Sequence, residues 1–161
     1  QVKKDIGYTP ILIDNFANGY AFQDGNIISN NLTDENGNSI EKFKSVSFDY
    51  EKDGDIVIFA QDKYNSQAEL QGSVAKTVGD TDIYYYSYTN KVVPADYELT
   101  DADKAAEANG DLVFSYGSAA VELNEIQSAT FVKDGMQYQL LQINGKLSGD
   151  ELVKMAEELV A

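Results

Sequence analysis

Four residue types are missing from this chain of 161 residues: cysteine, histidine, arginine and tryptophan. Without histidine there is no Ser-His-Asp triad and no imidazole metal ligand. Without cysteine there is no thiol nucleophile, thiolate zinc site, iron–sulfur cluster or disulfide. The absence of arginine removes the bidentate phosphate clamp. We therefore predict a protein that is not an enzyme, with no cofactor and no metal.

Positive charge is also scarce. Twelve lysines face 27 aspartates and glutamates, so the net charge is −15. Nucleic acids are bound through lysine and arginine, so this charge balance predicts no nucleic-acid partner. No apolar run approaches the roughly 20 residues of a membrane span. We expect membrane attachment only through an anchor outside residues 1–161.

The residues that are present favour a single folded domain. Hydrophobic residues make up 43% of the chain, which is enough for a core. A chain of this length buries roughly 70% of the surface that it exposes when unfolded. Because no repeat, linker or low-complexity tract interrupts the sequence, we predict one domain over residues 1–161.

Glycine positions predict antiparallel hairpins. Seven of the 12 glycines follow Asn or Asp, the pairs that favour tight hairpin turns. One hairpin is predicted around Asp53-Gly54, with the alternating residues Val46, Phe48 and Tyr50 leading into it. Another is predicted around Asp134-Gly135, which joins 129–132 to 138–143.

A third and weaker hairpin is predicted around Asp24-Gly25. It would join Tyr20 and Phe22 to Ile27 and Ile28. Polar composition predicts loops at Asn30–Ser39 and Asn65–Gly72.

Two helices are predicted. The first spans Thr100–Ala108, with Thr100 as its N-cap and Asn109-Gly110 as its end. In the second, Ser148 and Glu151 have capping-box spacing. An apolar stripe with helical periodicity follows: Leu152, Met155, Ala156 and Leu159. The predicted fold class is α+β: a curved antiparallel sheet, a meander of hairpins, with the C-terminal helix packed on its concave face.

Tyrosine is the most distinctive component, with 11 residues. A strand over Asp82–Thr89 would place Tyr84, Tyr86 and Tyr88 on one face and Ile83 and Tyr85 on the other. Such a strand is apolar on both sides, which predicts cover on both sides. The tyrosines either line a ligand groove or belong to a half-buried strand whose hydroxyls reach water.

We select five candidate ligand-binding residues from this pattern and from the first predicted strand: Tyr84, Tyr86, Tyr88, Tyr20 and Phe22. They would bind a protein partner or an apolar small molecule on the concave side of the sheet.

Acidic pairs offer a weaker alternative. Asp101 and Asp103 begin the first helix, but the sixth and twelfth positions counted from Asp101 lack the Gly and Glu of an EF-hand loop. Asp80 and Asp82 flank Thr81 before the tyrosine strand. A calcium-dependent or carboxylate-based hydrolase remains an alternative, although no carboxylate pair is singled out.

Two stretches carry a family resemblance. The first is Asp14-Asn15-Phe16-x-Asn18-Gly19-Tyr20-x-Phe22. The second is Val132-Lys133-Asp134-Gly135-Met136-x-Tyr138-x-Leu140, followed by Leu147-Ser148-x-x-Glu151-Leu152-x-x-Met155-Ala156-Glu157. Together they resemble uncharacterised extracytoplasmic domains of Gram-positive, membrane-anchored proteins, some associated with anti-sigma factors. The fold of that group is similar to the lipoprotein-carrier and sigma-regulator sensor fold.

The resemblance implies a function and a location. It implies a non-catalytic sensory or binding domain on the cell-surface side of a bacterial membrane, which regulates a sigma factor through an upstream anchor. The start at Gln1 without an initiator Met agrees with an excised piece. The alternative is a carrier or binder of a lipid or another hydrophobic ligand. The resemblance brings no catalytic residues.

Overall fold

The computed structural model describes residues 2–66 and 69–161. Within these stretches the chain forms three helices and eight strands. Their bounds in chain order are α1 Val2–Ile6, β1 Ala21–Thr33, β2 Ser39–Lys52, β3 Asp55–Lys63, β4 Ser73–Val78, β5 Thr81–Val93, α2 Asp101–Ala108, β6 Leu112–Tyr116, β7 Glu122–Lys133, β8 Met136–Ile143 and α3 Gly149–Val160.

The eight strands form one open, curved sheet in the order β1-β2-β3-β8-β7-β5-β4. Every pairing along this path is antiparallel, whereas β6 runs parallel to β5. Two short strands share one side of β5: β4 pairs with its first part and β6 with residues 89–93. The predicted α+β class is confirmed. The meander of hairpins is interrupted because β3 pairs with the last strand, β8.

Helix α3 packs on the concave face, as predicted. Its capping box is formed: the Ser148 N–H donates to Glu151 Oε2 at 2.8 Å, and the Glu151 N–H donates to Ser148 Oγ at 3.2 Å. These bonds satisfy amides that the first turn leaves without helical partners. Buried α3 side chains face the sheet: Leu152, Val153, Met155, Ala156, Leu159 and Val160.

The N-terminal segment 8–20 covers the part of the concave face that α3 does not reach. The side-chain amide of Gln61 on β3 accepts from the Ile11 N–H at 2.7 Å and donates to the Ile11 carbonyl at 2.6 Å. The Tyr50 hydroxyl on β2 donates to the Ile13 carbonyl at 2.9 Å. Glu158 of α3 accepts the Ala17 N–H at 3.0 Å, so the two covering elements are joined.

Two of the three predicted hairpins are confirmed. Both residues of each turn have positive φ: 51° and 78° at Asp53-Gly54, and 51° and 76° at Asp134-Gly135. This conformation belongs to the type I′ turn, which matches the twist of the flanking strands.

The predicted hairpin at Asp24-Gly25 is wrong, because both residues lie inside the continuous strand β1. Gly25 has no positive φ there. It pairs with Phe48, and a Cβ at this position would lie 2.8 Å from the Phe48 ring. The glycine therefore makes room for an aromatic side chain instead of forming a turn.

The chain reverses later, over residues 34–38. The Asp34 carboxylate accepts the N–H groups of Asn36 at 2.9 Å and Asn38 at 2.8 Å, and Gly37 has a φ of 81°. The predicted loop Asn30–Ser39 is therefore wrong at both ends: residues 30–33 belong to β1, and Ser39 begins β2.

The region between β3 and β5 was predicted only in part. The predicted loop Asn65–Gly72 has no helix or strand among its described residues, and Gln67 and Ala68 lie outside the described residues. Strand β4, which follows it, was not predicted. All of its residues except Val78 are exposed, so it lacks the buried alternation that identifies a strand in a sequence.

Packing of α3 on the sheet predicts the outcome of one substitution. Leu152 is fully buried, so Leu152→Ala should lower the free energy of unfolding by roughly 2–5 kcal/mol. The exposed neighbour Lys154 gives a matched control, because Lys154→Ala should change it by less than about 0.5 kcal/mol. Urea unfolding followed by circular dichroism measures both values. Equal stabilities for the two variants would contradict this packing.

Candidate functional site

Three of the four tyrosines of β5 lie on the sheet face opposite to α3: Tyr84, Tyr86 and Tyr88. Strand register pairs Tyr84 with Thr130 and Tyr86 with Ser128, and paired residues share a face. Ile83 and Tyr85 point the other way, toward α3: a Cβ on Gly149 of that helix would lie 2.8 Å from the Tyr85 ring. The predicted division of side chains between two faces is confirmed. We call the side that carries Tyr84, Tyr86 and Tyr88 the tyrosine face.

A groove of about 490 Å³ lies on the tyrosine face. Strands β5, β6, β7 and β8 and the segment 69–71 line it. The lining side chains are Glu69, Leu70, Gln71, Tyr86, Tyr88, Val113, Ser128, Thr130, Gln137, Gln139 and Leu141. We call this feature the tyrosine groove. Its volume falls within the range of roughly 300–1,000 Å³ that is typical of small-molecule sites.

Two aromatic rings stack at one side of the tyrosine groove. The ring centroids of Tyr86 and Tyr88 are 5.1 Å apart, with an angle of 28° between the ring planes. The Tyr86 hydroxyl donates to the Gly110 carbonyl at 2.7 Å, which fixes the orientation of its ring. This bond thus holds Tyr86 in place, and the Tyr88 ring stacks against it.

Hydrogen-bonding groups in the tyrosine groove are largely unpaired. The Gln139 amide donates to Thr130 Oγ1 at 3.3 Å. The side chains of Tyr88, Ser128 and Gln137 make no side-chain hydrogen bond within the described part of the chain. None of their polar atoms is both buried and unpaired. These groups therefore remain available to a ligand.

Charge is nearly absent from the lining. Glu69 is its one charged side chain among the described residues, in a protein with a net charge of −15. The tyrosine groove is therefore suited to an uncharged ligand.

The five predicted binding residues do not form one site. Tyr86 and Tyr88 line the groove, whereas Tyr84 lies on the same face without lining it. Tyr20 and Phe22 lie on the other side of the sheet. The prediction of a single concave, tyrosine-rich surface is therefore wrong, because strand alternation and pairing put Tyr84, Tyr86 and Tyr88 on the face that α3 leaves uncovered.

Phe22 belongs to an aromatic cluster of the core. Its ring makes edge contacts with Phe48, at a centroid distance of 5.7 Å, and with Tyr50, at 6.0 Å. Half-buried, it packs against the core and not in a groove.

Tyr20 is only 4% exposed and binds a buried carboxylate. Its hydroxyl donates to Asp55 Oδ2 at 2.5 Å. The same oxygen accepts the Gln142 side-chain amide and the Lys146 backbone N–H, each at 3.0 Å. Burial, together with the hydrogen bond to Asp55 and its charge, raises the pKa of Tyr20 to about 12.

Asp55 stays ionised in this setting. Burial by itself raises the pKa of its carboxyl, but the bonds from Tyr20, Lys146 and Gln142 and the charge of Lys146 together lower it below its ordinary value. Three donors on one carboxylate oxygen outweigh the loss of water.

The polar network continues across the sheet beneath the loop that joins β8 to α3. The Gln127 amide donates to Gln142 Oε1 at 3.0 Å and to the Leu147 carbonyl at 2.9 Å. The Tyr85 hydroxyl donates to Gln127 Oε1 at 2.8 Å. This chain of bonds fixes the entry into α3. Sequence reasoning missed Gln142 and Gln127, because a glutamine in a strand carries no signal of burial.

The predicted acidic pairs have structural partners. Asp103 accepts from Lys91 Nζ at 2.8 Å, the Tyr97 hydroxyl at 2.7 Å and the Thr100 N–H at 3.0 Å, and these contacts hold its pKa well below the ordinary value. Asp82 accepts from the Thr77 hydroxyl at 2.6 Å. Within residues 2–66 and 69–161, no group of three or more acidic side chains is placed to hold a metal ion.

No helix in the described ranges is both long and apolar enough to cross a membrane. Comparisons of the chain with protein-family models, with curated proteins and with solved structures find no match.

The Tyr20–Asp55 bond predicts a pH-dependent loss of stability. Tyr20→Phe should lower the free energy of unfolding by roughly 1–3 kcal/mol near pH 7, because Asp55 loses a donor. The folded-state pKa of Asp55 is depressed, so its contribution is present above about pH 4 and lost as the pH falls through that depressed pKa. The difference in the free energy of unfolding between Tyr20→Phe and the unmodified protein should therefore shrink towards pH 3. Urea unfolding at each pH measures it.

A matched control is Tyr50→Phe, which also removes a buried hydroxyl, but one that donates to the neutral Ile13 carbonyl. The loss of free energy of unfolding caused by Tyr50→Phe should be nearly the same across this acid range. If the loss of free energy of unfolding caused by Tyr20→Phe is equally independent of pH, the role given to Asp55 is contradicted.

Proposed function

We propose that this chain is a non-catalytic recognition domain that binds its ligand in the tyrosine groove. The observation that carries the proposal is a preorganised pair of stacked tyrosines beside unpaired hydroxyl and amide groups, on a sheet face that α3 leaves uncovered. Binding sites combine apolar and aromatic surface with a few placed polar groups in this way.

The opposite face is already occupied by the protein itself. Helix α3 and the segment 8–20 fill the concave side, where Tyr50, Phe59 and Leu152 are fully buried. The two described pockets that border the loop between β8 and α3 measure about 190 and 200 Å³ and include charged and amide side chains. Neither suits a lipid. The alternative function, a carrier of a hydrophobic ligand, is therefore less well supported by these pockets.

A carboxylate-based hydrolase is also less supported. Glycoside hydrolysis uses a pair of carboxyl groups about 5–9.5 Å apart across the scissile bond. The described lining of the tyrosine groove supplies a single carboxylate, Glu69. Recognition without bond cleavage fits this lining better.

The sequence resemblance supports the wider setting of the proposal. In that setting the domain lies on the extracytoplasmic side of a membrane-anchored bacterial protein, and occupancy of the tyrosine groove biases a signal, such as sigma-factor control, through the anchor. The complete reading frame should contain a transmembrane segment or a lipoprotein signal upstream of this chain. Its absence there would refute the membrane-anchored setting.

A fragment screen tests the binding site. The isotope-labelled domain is screened by NMR against small neutral aromatic and polar compounds. Hits should perturb the signals of Tyr88, Ser128 and Gln137, and Tyr88→Ala should weaken their binding about tenfold, because one stacking face is lost.

Tyr116 provides the matched control. It is 55% exposed and does not line the tyrosine groove, so Tyr116→Ala should leave fragment binding unchanged. Hits that gather beside α3, or hits that are indifferent to Tyr88→Ala, would show that the tyrosine groove is not the binding site.

A further inference from the structure

We infer that the ligand of the tyrosine groove is a short neutral oligosaccharide. The inference rests on the proposed function and names the ligand class for that site.

Aromatic rings supply the first argument. One face of a pyranose ring presents several C–H bonds with partial positive charge, which pack against the negative face of an aromatic ring. Tyr86 and Tyr88 offer such surface, and the bond from Tyr86 to Gly110 holds the Tyr86 ring in position beside Tyr88. Less conformational freedom is then lost when a sugar binds.

The unpaired polar groups supply the second argument. Sugar hydroxyls both donate and accept hydrogen bonds. The Gln137 amide offers donors and an acceptor, and the hydroxyls of Tyr88 and Ser128 can do either. A chain of hydroxyl groups is therefore matched by side chains that need no fixed charge.

Charge supplies the third argument. Among the described residues that line the tyrosine groove there is no lysine, and the whole chain carries a net charge of −15. Anionic saccharides and nucleic acids are repelled by such a field. A cationic ligand would be expected to meet several carboxylates, whereas the described lining has only Glu69. An uncharged ligand remains.

The position within the sheet separates a saccharide from a peptide. Extended peptides commonly pair with the free backbone groups of an edge strand. Three of the eight strand residues that line the tyrosine groove lie on β5 and β6, and the other five lie on β7 and β8, each of which is paired on both sides. Their backbone groups are used in the sheet, so recognition here depends on side chains, as sugar binding does.

A defined panel of sugars tests the inference. Isothermal titration calorimetry and NMR are carried out with cellopentaose, laminaripentaose, maltopentaose and chitopentaose. Penta-galacturonate is the anionic comparison, and an extended neutral peptide tests the competing class. At least one neutral sugar should bind and perturb the NMR signals of Gln137. Tyr88→Ala should weaken the binding of that sugar about tenfold, whereas Tyr116→Ala should leave it unchanged.

The outcomes separate the two proposals. If fragments occupy the tyrosine groove but none of the four neutral sugars binds, the saccharide inference is overturned and the proposed function stands. If the peptide or penta-galacturonate binds more tightly than every neutral sugar, the saccharide inference is overturned as well. If neither fragments nor sugars reach the tyrosine groove, both proposals fail.

Discussion

Burial of one sheet face beneath the C-terminal helix is the interaction on which the rest of this structure depends. An isolated sheet would expose apolar side chains on two faces, and α3 removes one of them from water with six buried side chains. Each leucine, valine or methionine among them contributes about 1.5–3 kcal/mol when fully buried. The segment 8–20 completes the cover and is joined to α3 through the bond from Ala17 to Glu158. Once this face is closed, the tyrosine face is the broad face of the sheet that α3 leaves uncovered.

Buried polar groups decide how that helix enters the fold. Asp55 lies where the β8–α3 loop meets the sheet, and it is tolerated because donors from Tyr20, Gln142 and Lys146 replace water. A buried carboxylate with three donors strongly disfavours other loop positions, since any shift would leave it unpaired. The network therefore contributes specificity to a core whose apolar contacts are less directional.

The chemistry of the two faces differs for a physical reason. On the helix side, large aromatic and aliphatic residues interlock, whereas the tyrosine face combines rings with neutral hydroxyl and amide groups. Acidic residues elsewhere give the chain its net charge of −15, and repulsion between like charges favours solubility. Their near absence from the tyrosine groove leaves a largely neutral surface within a negative field, which is the basis of our proposal of an uncharged ligand.

The sequence by itself determined the local elements with strong signals: the Asp53-Gly54 and Asp134-Gly135 turns, the capped helix α3 and the alternation that separates Tyr86 from Tyr85. These signals lie within a few residues of one another, so no distant contact is needed to interpret them. Only the tertiary structure decided that Gly25 lies in a strand, because the Phe48 ring that needs its space is 23 positions away along the chain. In the same way, the placement of Tyr20 and Tyr88 on opposite faces follows from strand pairing across the whole sheet. A local pattern gives the alternation along a strand, but long-range pairing decides which side the helix covers.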